Sequence, residues 1–197
     1  MEYQEAREHF GNACGVITAA SFRERGIPTV YLTRLVKEGV LMRVGRGLYI
    51  SGQGDYDVHY FFQQRFKKTI FSYETALYLL GATDKIVLDI DVSVSRNYKF
   101  NEGVPGDVNV HYVRPELLGA GVTETKTVFG NPVRVYSFER TLCDFVANRS
   151  KMDPETFVRM IKTYSEYKGK QPGVLYKIAA KMKIVKEVRD ILEITIL

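Results

Sequence analysis

The sequence predicts an α+β fold, in which an N-terminal winged helix-turn-helix precedes a mixed α/β domain with terminal helices. Three observations carry that expectation. Residues 18–50, TAASFRERGIPTVYLTRLVKEGVLMRVGRGLYI, read as helix, glycine turn, helix and glycine-tipped hairpin. A polar, glycine-rich stretch, SGQGDYD at 51–57, then separates a first domain at 1–52 from a larger one at 58–197. Beyond it, apolar alternation dominates the middle of the chain and helical spacing dominates its end.

Residues 2–13 set Tyr3, Ala6, Phe10 and Ala13 in one apolar stripe, predicting a first helix that Gly15 ends. Thr18 has N-cap chemistry for a short helix at 19–25, and Gly26 supplies the turn. Pro28 stands in the first turn of the next helix, which runs to Glu38 and stops at Gly39. Phe22, Gly26 and Leu32 fit the buried, glycine, buried pattern of a helix-turn-helix. Phe22 is larger than the small residue often found there, so an adjusted helix crossing is expected.

Phasing the second helix at about 100° per residue turns Leu32, Leu35 and Val36 to the core, with Tyr31 at the edge. The opposite face carries Thr29, Val30, Thr33, Arg34 and Lys37. Threonine and arginine can hydrogen-bond base edges or phosphates, valine can touch a thymine methyl, and Lys37 suits a phosphate. Residues 40–44 and 48–50 flank Gly45-Arg46-Gly47, a hairpin that displays Arg46 at its tip and Arg43 on the incoming strand. Such arginines can enter a minor groove or clamp a phosphate. The plainer alternatives are a solvated helix face and an exposed loop arginine.

In the larger domain, Phe61, Phe62, Phe66 and Ile70 form an aromatic approach to a helix at 73–80, which Ser72 caps and Gly81 stops. Residues 85–96 alternate as a strand through Ile86, Leu88, Ile90, Val92 and Val94, and Val108, Val110 and Tyr112 form a second. Residues 124–129 and 132–136 make a hairpin about Gly130-Asn131. Helices follow at 138–148 (capped by Ser137), from Asp153-Pro154 to 167, at 174–182 and at 185–193.

Composition narrows the chemistry. Hydrophobic residues make up 45% and charged residues 26%, an ordinary globular balance with no apolar run able to span a membrane. The polar start MEYQEAREHF lacks secretory-signal character, and two distant cysteines suit a reduced, cytoplasmic protein. A net charge of +5 mildly favours an anionic partner. No phosphate loop, dinucleotide fingerprint or nucleophile elbow occurs, and neither a metal nor a cofactor is expected. Asp107 with Glu124-Thr125-Lys126 is the most tempting catalytic pattern, since two carboxylates and a lysine can serve a metal-dependent nuclease. An exposed edge strand reads more simply, and no enzyme is expected. Arg140 and Asp144 can pair at i,i+4 to lock a helix against the sheet. Lys168, Lys170, Lys177 and Lys181 form a candidate basic surface for DNA backbone or an acidic protein, or a solvated face.

Three blocks in series, GVLMRVGRGLYI, FSYETALYLLGATD and VRVYSFERTLCDFVANRSKMDPE, resemble the AbiEi antitoxins of abortive-infection toxin–antitoxin systems. The resemblance spans nearly the whole chain. It implies a winged helix that binds inverted repeats in double-stranded promoter DNA of its own operon, with Thr29, Thr33, Arg34, Arg43 and Arg46 among the contacts. It implies a C-terminal domain that counteracts an AbiEii-like, nucleotidyltransferase-like toxin in a type IV system, without an assumed stable complex. Two copies on an inverted repeat are expected, from a protein that is a monomer in solution or a dimer on DNA. A nuclease targeted by the winged helix and a ligand-sensing regulator without a toxin are the alternatives.

Overall fold

Caps written in the sequence set the N-terminal helices. The computed structural model describes residues 1–197 apart from Asp84, Ile86, Asn101, Glu102, Leu197 and the side chains of 194–196. The chain runs α1 (Tyr3–Gly11), β1 (Ile17–Thr18), α2 (Ala19–Glu24), α3 (Val30–Lys37), β2 (Leu41–Gly45), β3 (Leu48–Ser51) and α4 (Val58–Arg65). It continues with β4 (Ile70–Phe71), α5 (Tyr73–Leu79), β5 (Ile90–Ser95), β6 (Val108–Val113), α6 (Pro115–Leu118), β7 (Val122–Lys126) and β8 (Pro132–Tyr136). The closing helices are α7 (Phe138–Ala147), α8 (Pro154–Glu166), α9 (Pro172–Met182) and α10 (Val185–Ile196). The fold is mixed α+β and falls into two compact units, Met1–Lys67 with Thr127–Asn131, and Lys68–Lys126 with Pro132–Leu197.

In the first unit, Thr18 Oγ1 accepts the Ser21 N–H at 3.0 Å while Ser21 Oγ accepts the Thr18 N–H at 3.3 Å, a reciprocal cap for α2. At its other end the Ile27 N–H reaches the Phe22 carbonyl at 2.8 Å and the Gly26 N–H reaches that of Arg23 at 3.0 Å. This closure needs Gly26 at φ +66°, a conformation costly for any residue with a Cβ. The turn therefore delivers α3 at a set angle to α2. Ala6, Phe10, Phe22, Leu32 and Leu35 form the core beneath them. Phe22 stacks on Phe10 of α1 at 4.2 Å, so α1 takes up the bulk that a small residue would have avoided.

A three-stranded sheet in the order β1-β3-β2 completes this layout, consistent with a winged helix-turn-helix. β1 has only two residues and too little periodicity to be read from sequence. Phe61 and Phe62 lie within α4 rather than on an approach to a later helix, with Phe66 at its C-cap. Buried Asp57 caps α4, accepting the Tyr60 N–H at 3.0 Å. Its other oxygen accepts from Thr127 Oγ1 at 2.5 Å and Asn131 Nδ2 at 2.8 Å, within the same unit.

The second unit is built on a five-stranded sheet ordered β6-β5-β4-β8-β7. β5 runs parallel to β6 and β4 parallel to β8, while β4–β5 and β7–β8 are antiparallel. The strand expected over 85–96 begins only at Ile90, where pairing with Val108 starts. Leu88, expected as part of that strand, is 85% exposed and unpaired, and Ile86 lies outside the described residues. Ser72 holds the N-cap position of α5 but its side chain makes no capping bond, and Tyr73 enters the helix at φ +47°. Ser137 and Asp153 do cap, accepting the Arg140 and Thr156 N–H groups.

α7 is the central helix, with every residue from Phe138 to Val146 buried. Leu142 and Phe145 pack with Phe157, Met160 and Ile161 of α8 and Leu175, Ile178 and Ala179 of α9. Arg140 is 1% exposed on this helix. Its Nε donates to both Asp144 oxygens at 3.1 Å and its Nη1 donates to the Leu117 and Ala120 carbonyls at 2.6 Å. Burial pushes the Asp144 carboxyl up to about 6 against the opposing pull of Arg140.

Gly121 lies against the same arginine at φ +77°, and a Cβ there would stand 2.5 Å from Arg140 Cβ. Gly121→Ala is accordingly expected to cost about 2–5 kcal/mol, combining left-handed strain with overpacking. Urea denaturation of the variant beside wild type measures it, and an unchanged midpoint would contradict the close packing.

Candidate nucleic-acid interface

Leu32 and Leu35 are buried beneath α3, so the face opposite them is left to solvent. Thr29, Val30, Thr33, Arg34 and Lys37 are all exposed there, as the phasing predicts. Val30 is 66% exposed, an apolar side chain held in water at the start of the helix. The face therefore presents two hydroxyls, one branched apolar group and two cations on a single short helix.

Arg34 is not a loose cation. Its Nε donates to Glu38 Oε1 at 2.9 Å, one helical turn on, and its guanidinium carbon lies 3.8 Å from the centre of the Tyr3 ring. Arg7 of α1 reaches the other Glu38 oxygen at 3.4 Å. The Tyr3 hydroxyl and then Arg34 hold the Glu38 carboxyl below its ordinary value, so it is ionised at neutral pH. Phasing α3 by itself misses Tyr3 and Arg7, which come from another helix. The i,i+4 spacing of Arg34 and Glu38 was the one visible signal.

On the wing, β2 ends at Gly45, β3 starts at Leu48, and Gly47 takes φ +72° between them. That leaves Arg46 exposed at the two-residue tip, with no hydrogen bond or ion pair among the described residues. The tip is tied back to α2, because the Ala19 N–H donates to the Gly47 carbonyl at 3.0 Å. Arg43 is exposed too, and its Nε donates to the Gly45 carbonyl at 3.2 Å, which lays it along the strand toward the tip. β1 fastens the wing further by pairing Ile17 with Tyr49.

In the second unit, Lys168, Lys170, Lys177 and Lys181 are exposed. Lys170 Nζ donates to the Ser165 carbonyl at the end of α8. Lys177 and Lys181 share the outer face of α9, away from buried Leu175, Ile178 and Ala179.

The nuclease pattern is not assembled. Asp107 precedes β6 at one edge of the sheet, and Glu124 and Lys126 sit on β7 at the other. Four strand spacings, about 19 Å, lie between those edges. Among the described residues no cluster of three or more histidine, cysteine or carboxylate side chains is placed to hold a metal. Burial pushes the Cys143 thiol up to about 12, which leaves little thiolate for nucleophilic work. The Arg140–Asp144 pair is buried in the core, where it ties α7 to the Leu117 and Ala120 carbonyls.

Comparison with known proteins bears on both units. Residues 4–52 match the model of a family described as a transcriptional regulator, AbiEi antitoxin. A crystal structure of the RV2827C protein from Mycobacterium tuberculosis is similar in fold, with a TM-score of 0.60 over 96% of this chain and 75% of that one, at 13% identity. A search of curated proteins gives no match. No helix among the described residues is long and apolar enough to cross a membrane. The matched segment holds α1, α2, α3 and the wing, so the N-terminal part of this chain is similar to the AbiEi antitoxin transcriptional regulators.

Proposed function

We propose that the protein is the antitoxin and autorepressor of a type IV toxin–antitoxin operon, acting in the cytoplasm and not as an enzyme. Residues 1–52 address it to inverted repeats in its own promoter, and the C-terminal domain over 58–197 counteracts a nucleotidyltransferase-like toxin. The observation that carries the reading is the solvent face of α3, set beside an arginine-tipped wing within a segment matching the AbiEi regulators. Thr29, Val30 and Thr33 suit base edges and a thymine methyl, and Lys37, Arg43 and Arg46 suit phosphates or a minor groove. Lys168, Lys170, Lys177 and Lys181 supply a further basic surface. Two copies meet on the repeat, from a monomer in solution or as a dimer formed on DNA.

The full chain is expected to retard a fragment of its own promoter, with affinity falling steeply as salt rises. It is also expected to restore growth when a neighbouring nucleotidyltransferase-like gene is induced. Retardation without rescue would remove the antitoxin half of the proposal, and rescue without retardation would remove the repressor half.

A second reading rests on a cleft of about 610 Å³ in the second unit, whose lining includes Asp91, Asn109, His111 and Asn148. Its volume is in the range of small-molecule sites. His111 Nε2 lies 2.8 Å from Asp91 Oδ1 there. A ligand-sensing regulator without a toxin would use such a cleft. Release of promoter DNA by a small metabolite, with no growth rescue, would favour that reading.

A further inference from the structure

The flank of α3 that faces α1 holds two arginines on one carboxylate. Arg34 Nε is 2.9 Å from Glu38 Oε1 and Arg7 Nε is 3.4 Å from Oε2, so each oxygen serves one guanidinium. Arg34 is attached by its Nε hydrogen bond and Arg7 Nε stands at ion-pair distance, and no hydrogen bond from a terminal Nη atom of either is found among the described residues. Their side chains are 47% and 60% exposed. The Tyr3 ring lies beneath the Arg34 guanidinium carbon and is itself met edge-on by Tyr31 at 5.0 Å.

This arrangement does little for stability, because exposed ion pairs contribute about 0–1 kcal/mol. It does something definite to geometry. A guanidinium held by Nε and by one face can present only its outer Nη edge. That edge of Arg34, with the Arg7 guanidinium beside the same carboxylate, leaves a net charge of about +1 with several N–H donors, which matches a phosphodiester oxygen pair.

We propose that Arg7 and Arg34 together clamp one backbone phosphate of the bound DNA, with Glu38 drawing both guanidinium groups to one place and Tyr3 holding that of Arg34. This rests on the DNA-binding reading of α3. It makes Arg34 a register-setting contact and leaves base reading to Thr29, Val30 and Thr33. It also brings α1 into the interface, on the side of α3 where Tyr31 packs.

The test is equilibrium binding of the full chain to its promoter fragment and to an unrelated duplex, from about 50 to 200 mM salt, where each phosphate contact contributes about 0.9 to the slope of log K against log salt. Arg7→Gln and Arg34→Gln are each expected to reduce the slope by about one contact on both DNAs, and the double variant by the same single contact. Tyr3→Leu is expected to weaken binding about two- to fivefold with the slope unchanged, and Tyr3→Phe, which keeps the ring under Arg34 but loses the hydroxyl beside Glu38, to weaken it less. Thermal midpoints identify any variant that loses its fold, and the arginine variants then carry the test, since their side chains are exposed. An Arg7→Gln slope equal to wild type, or a double variant that loses two contacts, overturns the clamp. A wild-type chain that binds neither DNA overturns the reading of α3 itself.

Discussion

Replacing Arg140 by leucine is expected to destabilise the second unit by about 3–5 kcal/mol, a large part of the stability of an ordinary domain. The arginine is fully buried and engaged on three sides at once, by Asp144, by the Leu117 and Ala120 carbonyls, and by the Tyr136 ring 4.1 Å from its guanidinium carbon. Leucine leaves a buried carboxylate without its counter-charge and takes the arginine donor from two carbonyls, of which that of Leu117 keeps the Ala120 N–H at 3.1 Å. Asp144 already sits well above the ordinary carboxylate range, and loss of Arg140 would drive it to take up a proton. The double variant Arg140→Leu with Asp144→Leu separates the two costs. It is expected to recover the part due to the stranded charge and to keep the part due to the unsatisfied Ala120 carbonyl, about 1–3 kcal/mol. Urea denaturation with near-ultraviolet circular dichroism reads both, and a single variant as stable as wild type would refute the argument.

The second large effect is on DNA. Arg34→Ala combined with Arg46→Ala removes a cation from α3 and the cation at the wing tip, both exposed. At about 1–3 kcal/mol per contact, affinity is expected to fall roughly a hundredfold or more, and the salt slope to drop by about two contacts. The fold should persist, since neither side chain is buried. The variant is also expected to lose promoter repression while still restoring growth against the toxin. Unchanged retardation by this variant would refute the assigned reading face, and loss of growth rescue alongside repression would tie antitoxicity to DNA binding.

Local signals made much of the first unit legible. Thr18 through its side-chain cap, and Gly26 and Gly39 through backbone hydrogen bonds, each mark a helix end with near neighbours only. The solvent face of α3 follows from helical phase, since Leu32 and Leu35 lock its rotation. Long-range features were not legible. β1 and β4 have two residues each, too few to show a period, and the parallel pairing of β4 with β8 joins Phe71 to Val135, segments far apart in the chain. The strand over 85–96 was overextended because alternation continues where no partner strand does. At the candidate interface, Arg34 was visible but its restraint was not, because Tyr3 and Arg7 meet it only through the packing of α1 on α3. Asp57 likewise reads as a linker residue until the turn at 127–131 arrives to satisfy it.

The placement of Glu124 and Lys126 on the last strand of the sheet has one more consequence. A terminal strand offers a row of unpaired backbone groups, a template on which a second chain can add. Alternating charges along β7, with Glu124 and Lys126 both exposed, make that addition costly, since an incoming strand would have to desolvate them. Replacing Glu124 and Lys126 together by threonine is accordingly expected to raise aggregation at high concentration, read by light scattering beside wild type.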